Sequence, residues 1–346
     1  MTDIHLRTDG RAGRITLDRP GALNALTWDM CLAIEAALDG WRDDPAVDLV
    51  LIEGAGDRAF CAGGDIAEMH AAGTRGDFAY GQRFWRDEYR MNAKLFRFPK
   101  PVVTFLHGYT MGGGVGVGCH ASHRIVDDGS RIAMPECGIG LVPDVGGSLI
   151  LARAPGRLGE FLGTTGHRMG PGDAIHAGFA DLYVPSGWDA LAARLCETGD
   201  ASLADAAGRP PPPGELAGWQ AEIDRLFAGE TLGDIARGLQ DADGPAAEAA
   251  RTALARNAPL SMACAVEMLH RLGDDPTIAQ ALELEYRFTH RALELSDFVE
   301  GIRAQIVDKD RTPRWKHPGP TAVPPVEVAA MLRPLGAEAL KLEDIP

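Results

Sequence analysis

Apolar and polar residues alternate in blocks along the first half of the chain, and the blocks change period in a regular order. Residues Arg14 to Leu17 read as a strand that stops at Pro20. Thr27 is placed to cap an amphipathic helix over Trp28–Trp41. Residues 47–53, VDLVLIE, form an apolar run of strand length with no polar alternation, the pattern of a strand buried on both faces. A glycine-containing turn follows at Phe60–Asp65, then a helix over Phe78–Phe96. Lys100-Pro101 introduces a second buried strand, Val102–Leu106. Met111-Gly-Gly-Gly-Val-Gly116 reads as a strand-to-helix turn. Ser122–Val126 and Arg131–Met134 are further strands, and Pro143–Gly147 is another turn. Strands alternating with helices indicate α/β architecture.

From about residue 187 the pattern becomes helical, and it stays so to about Val307. Pro210–Pro213 is read as an exposed connector in polyproline conformation. The proline-rich end is expected to form an extended tail with a short helix. The expected organisation is a core over 1–190 carrying the active site, a helical region over 191–315 and a tail over 316–346.

Composition narrows the function classes. The net charge of −15 argues against nucleic-acid binding. No apolar run approaches the ~18 residues of a membrane span. The six cysteines are scattered without a C-x-x-C pair, so a zinc ribbon or thioredoxin-type site is not expected. With a polar N-terminus and no export leader, the expectation is a reducing, cytoplasmic protein.

Several segments can carry chemistry. The glycines of 111–118 expose backbone N–H groups at a helix start, suited to a phosphate or an oxyanion, or alternatively to close helix packing. Phe60–Asp65 offers a second such turn, with Asp65 as a helix cap for Ile66–His70 the plainer reading. As a pair, the two turns can aim two N–H donors at one carbonyl oxygen. Glu136 and Asp144, each in a Pro/Gly-punctuated loop, can divide acid and base roles or be exposed loop acids. Glu88, in FWRDEYR, reads as part of a solvated helix face. His120 and His123 read as structural, with no acid pattern beside them that suggests a metal. No G-x-S-x-G elbow is present.

Taken in order, ITLDRP-x-x-x-NAL (15–26), AFCAGGDI (59–66), KP-x-V-x-x-x-x-G-x-x-MGGGVG (100–116), MPE-x-x-IGL-x-PDVGG (134–147) and DF-x-EGIRA (297–304) resemble the crotonase, or enoyl-CoA hydratase/isomerase, superfamily across residues 10–315. RDEYR-x-N, MPE…PDVGG and VDKDRTPRW (307–315) are most similar to its 3-hydroxyisobutyryl-CoA hydrolase branch. The resemblance implies a spiral of repeated ββα units with a helical C-terminal region. It implies an oxyanion hole from the amides of Gly64 and Gly113, and a turn around Ala62, Asp65 and Ile66 that holds the adenine end of coenzyme A. Hydratases of the superfamily use two glutamates: the later falls on Glu136, the earlier on Gly116, which has no side chain. Asp144 stands where hydratases have glycine.

By the resemblance, then, Glu136 and Asp144 are the catalytic pair and Glu88 contacts substrate. The implied activity is hydrolysis of 3-hydroxyisobutyryl-CoA, a step of valine degradation, with 3-hydroxypropionyl-CoA as a second substrate. No metal or redox cofactor, no nucleic-acid or membrane partner, and an open oligomeric state go with it. A hydratase or isomerase of the same fold and a non-catalytic binding or assembly protein are the rivals.

Overall fold

The structure, a computed structural model, describes residues 3–273 and 275–345. Its strands are β1 (Ile4–Asp9), β2 (Ala12–Leu17), β3 (Leu49–Gly54), β4 (Ala59–Cys61), β5 (Val102–Phe105), β6 (Tyr109–Met111), β7 (His123–Val126), β8 (Arg131–Ala133) and β9 (Leu182–Tyr183). They form two sheets. The larger runs β1-β2-β3-β5-β7-β9 and the smaller β4-β6-β8. Only the β1–β2 hairpin is antiparallel.

Each turn of the chain lays one strand in each sheet and then a helical segment: β3 and β4, β5 and β6, β7 and β8. This is the spiral of ββα units that the motif order implies. The unalternated run at 47–53 is explained by what lies on either side of β3. Val50 and Ile52 face the main core, while Leu49 and Leu51 face a second cluster. Leu191 and Leu195, on the helix Trp188–Thr198, close that second cluster. Parallel strands covered on both faces need apolar residues at every position.

The helix Trp28–Arg42 starts as expected, with the Thr27 hydroxyl accepting from the Met30 amide at 3.2 Å. The helix Phe78–Phe96 occupies the expected residues. The Asp65 cap is weaker than expected: the helix is Ala67–Arg75, Asp65 Oδ1 lies 3.5 Å from the Ala67 amide, and Oδ2 accepts from Arg19 at 2.9 Å. Pro210–Pro213 is exposed, as expected.

The C-terminal half wraps the spiral. The long helix Ile278–Leu295 packs against Phe78–Phe96, and Tyr286 meets Tyr89 edge-on with ring centroids 6.2 Å apart. The segment 297–304 packs behind the short helix Glu136–Ile139. A Cβ on Gly301 would stand 2.0 Å from the Ile139 carbonyl oxygen, so only glycine allows the approach. The tail is docked rather than simply extended. After a helix at Pro325–Met331, it buries Leu332, Leu340, Leu342 and Ile345. Arg90 grips Asp344 through two hydrogen bonds of 2.9 and 3.0 Å, and Arg97 donates to the carbonyls of Leu342 and Ile345.

Candidate active site

The two glycine turns meet. The turn 62–65 is zipped to residues 23–26: Ala62 N–H donates to Leu23 O, Leu26 N–H to Gly63 O and Asp65 N–H to Leu26 O, at 2.7–3.0 Å. On the turn, these bonds use the N–H groups of Ala62 and Asp65 and the carbonyl of Gly63, and none of them takes the Gly64 N–H. Facing it, β6 ends at Met111 and the short helix Gly113–Gly118 begins. A Cβ on Gly113 would stand 3.2 Å from the Gly64 nitrogen, 3.1 Å from Glu88 Oε1 and 3.3 Å from Leu26 Cδ1. Among the described residues, neither the Gly64 nor the Gly113 amide has a hydrogen-bond acceptor. Both N–H groups are therefore unbonded, on turns that approach each other. Ala62 and Asp65 lie on the same turn, half-buried, with Asp65 paired to Arg19.

Three acids are buried at this junction. Glu136 is 4% exposed, and its carboxyl lies against the other glycine of the turn: a Cβ on Gly112 would stand 2.7 Å from Glu136 Oε1. Glu136 Oε2 is buried and has no hydrogen-bond partner among the described residues. Burial first, then the Asp144 charge, holds this carboxyl well above the usual range. Asp144 accepts a 2.7 Å hydrogen bond from the Tyr89 hydroxyl at Oδ2. Burial pushes its pKa up to about 7 against the opposing pull of that bond. Glu88 is 3% exposed and is not on a solvated face. It shares the buried stripe of its helix with Gly81, Phe84, Trp85, Asn92 and Leu95. Burial, then the charges of Asp144 and Glu285, raise its pKa as well. A carboxyl this deep, raised to about 7 as Asp144 is, can hold and transfer a proton near neutral pH.

Position 116 is closed. A Cβ there would stand 2.7 Å from both Asn92 Nδ2 and Val145 Cβ. No acid of any rotamer fits without moving the helix Phe78–Phe96 or the Asp144 turn. Two residues at the site were not anticipated. Tyr89 bonds Asp144, and Glu285 accepts from the turn that carries it. His120 is structural, as expected, with its Nε2 2.8 Å from the Val145 carbonyl and a pKa lowered to about 4 by burial. His123 lies apart, against Ser122. No group of three His, Cys, Asp or Glu among the described residues is arranged to hold a metal ion. Nor is any helix among them long and apolar enough to cross a membrane.

A family profile described as enoyl-CoA hydratase/isomerase matches residues 12–332. The chain belongs to that family. Within it, the curated relatives include the 3-hydroxyisobutyryl-CoA hydrolase, mitochondrial, of Danio rerio, 38% identical over 320 residues, 89% of this chain and 83% of that one. The protein of the same name from Homo sapiens is 34% identical over 360 residues, 98% of this chain and 90% of that one. Among solved structures, one described as an enoyl-CoA hydratase from Rhodobacter sphaeroides superposes with a TM-score of 0.95. It is 58% identical and covers 98% of this chain and all of its own. One described as a carnitinyl-CoA dehydratase from Mycobacterium thermoresistibile gives 0.93 at 39% identity, covering 99% of each. The family's spiral is thus shared over nearly the whole chain, C-terminal helices and tail included.

Proposed function

We propose that this chain hydrolyses short-chain 3-hydroxyacyl-CoA thioesters, with 3-hydroxyisobutyryl-CoA, an intermediate of valine degradation, as the preferred substrate. The observation that carries the reading is which acids are buried beside the glycine turns. Glu136, with an unpartnered oxygen, and Asp144 are there, while the position of the second hydratase glutamate is closed at Gly116. The names of the curated relatives point the same way.

In this reading the thioester carbonyl oxygen sits between the amides of Gly64 and Gly113. Attack at carbon builds negative charge on that oxygen, and the preorganised donors stabilise it, each worth about 10²–10³ in rate. Glu136 takes the proton of the attacking water. When the C–S bond breaks, it returns that proton to the leaving thiolate, giving CoA and the hydroxy acid. Alternatively, the Glu136 carboxylate attacks directly, expels the thiolate and forms an anhydride that water then cleaves. Single turnover in ¹⁸O-water tests the anhydride route: attack of water at the Glu136 carbonyl of the anhydride leaves label in Glu136, and an unlabelled carboxylate refutes that version. Asp144 orients the acyl hydroxyl or the water, Glu88 lines the acyl pocket, and the Ala62–Asp65 turn receives the adenine end. The steps use only the chain, water and the CoA of the substrate.

The solved relatives described as a hydratase and a dehydratase favour a second reading, hydration of an enoyl-CoA. Thiol release from 3-hydroxyisobutyryl-CoA, run beside loss of enoyl absorbance from crotonyl-CoA, decides between them. CoA release with little hydration is expected, lost on Glu136→Gln. Hydration without CoA release overturns the hydrolase reading. Neither activity points to a binding or assembly role.

A further inference from the structure

Glu285 is fully buried on the helix Ile278–Leu295 and makes no ion pair among the described residues. A buried carboxylate without a cation is costly unless hydrogen bonds satisfy it. The bonds it makes converge on one short stretch of chain. Oε2 accepts from the Gly146 amide at 2.8 Å, and Oε1 accepts from the Ser148 amide at 3.1 Å and from the Ser148 hydroxyl.

That stretch is the turn carrying Asp144, and its backbone is strained. Val145 has φ +54° and Gly146 φ +78°. A β-branched residue in the left-handed region costs of order 1–3 kcal/mol and persists only where neighbours over-determine it. Those neighbours are identifiable. His120 holds the Val145 carbonyl at 2.8 Å, the Gly147 amide closes on Asp144 O at 2.7 Å, and Glu285 ties down the amides on either side of it, those of Gly146 and Ser148. One helical turn beyond Glu285, Thr289 Oγ1 stands 3.3 Å from the Tyr89 hydroxyl, which in turn holds the Asp144 carboxyl. A single helix face thus reaches Asp144 through its backbone and through its side-chain partner.

We infer that Glu285 is a positioning residue for Asp144, holding the strained turn 144–148 so that the Asp144 carboxyl stays at the junction of the glycine turns. It touches no reacting atom. The assignment rests on the hydrolase reading of the site.

The test is a double-mutant cycle on CoA release from 3-hydroxyisobutyryl-CoA. It compares wild type, Glu285→Gln, Asp144→Asn and the double variant, with enzyme in excess so that slow variants give a rate, and with thermal unfolding of all four. Gln keeps the volume but presents an NH₂ to N–H donors. The expected result is a rate about 10–10² lower in Glu285→Gln, KM within about threefold of wild type, and less than about twofold further loss when Asp144 is already Asn. An equal loss in both backgrounds, or no loss with Asp144 present, overturns the assignment, because a general structural defect does not depend on residue 144. Should Glu285→Gln fail to fold, Ser148→Ala, which removes the hydroxyl donor alone, takes its place in the cycle with a loss of several-fold expected only beside Asp144. A wild type that releases no CoA overturns the hydrolase reading and this assignment with it. An active wild type with additive losses overturns this assignment alone.

Discussion

Replacing Gly113 by alanine separates the fold from the chemistry. The added Cβ would stand 3.2 Å from the Gly64 nitrogen. An oxygen accepting from that amide needs a place about 2.9 Å from the same atom, so the methyl group competes for the carbonyl's position. Losing one such donor costs about 10²–10³ in kcat, or about 2.7–4 kcal/mol. The fold should scarcely notice. The other close contacts, Glu88 Oε1 at 3.1 Å and Leu26 Cδ1 at 3.3 Å, are ends of flexible side chains that can give by a few tenths of an ångström. Alanine also gains up to about 1 kcal/mol over glycine in a helix. Thiol release under saturating substrate, paired with a thermal melt, therefore should show a fall of at least about 10² in kcat with an unfolding free energy within about 1 kcal/mol of wild type. Gly114→Ala is the contrast: its Cβ would lie 2.0 Å from the Cys61 carbonyl oxygen, and the variant should lose stability first. A Gly113→Ala enzyme with wild-type kcat would refute the placement of the thioester between the two amides.

The acids supply further predictions. Burial first, and then mutual repulsion, raises Glu136, while burial sets Asp144 at about 7, so kcat/KM for CoA release should climb through the neutral range and flatten above it. A profile already flat from pH 5 would mean that neither carboxyl must ionise. Asp144 is raised from 3.8 in the fold, so its contribution to stability is greatest below about pH 4, where it is protonated folded or unfolded, and is lost as pH rises through 7. Asp144→Asn should therefore match wild type in unfolding free energy near pH 4 and exceed it above pH 7, by up to about 4 kcal/mol; a difference independent of pH would contradict the raised pKa. Removing the acyl hydroxyl should leave a buried acid without its partner. Isobutyryl-CoA is accordingly expected to fall about 10–10² below 3-hydroxyisobutyryl-CoA in kcat/KM, and equal values would remove Asp144 and Glu88 from hydroxyl recognition.

Periodicity shows the core elements because they are apolar where they are buried. It misses β1, whose residues are mostly exposed along the sheet edge and carry no hydrophobic signal. The acids show where it misleads. Glu88 reads as solvated because its neighbours are charged, yet Gly81, Trp85, Glu88, Asn92 and Leu95 fall on one helical stripe. Glu285 repeats the case on a stripe with Leu282, Thr289 and Ala292. An acid on an apolar stripe is a signal available in sequence. What it faces is not, because Glu285 and the turn it holds are 137–139 residues apart. Glu136 and Asp144 stand out in the sequence through their motif, whereas their burial, and the Tyr89 hydroxyl that reaches Asp144 from another helix, come only with the packing of distant segments.

The docked tail bears on how the enzyme is made. All the acids of the site and their immediate supports lie before residue 290. The helix presenting Glu88 and Tyr89 nevertheless depends for its cover on Arg90 and Arg97 reaching residues 341–345, across 245–254 positions of chain. A polypeptide emerging from the ribosome therefore carries Glu88, Glu136, Asp144 and Glu285 well before the residues that dock on that helix have been made. Closing so long a loop carries an entropic cost that grows with the logarithm of its length. A chain cut a few residues short would keep Glu88, Glu136 and Asp144 yet lose the contacts that residues 341–345 make with the helix carrying Glu88 and Tyr89.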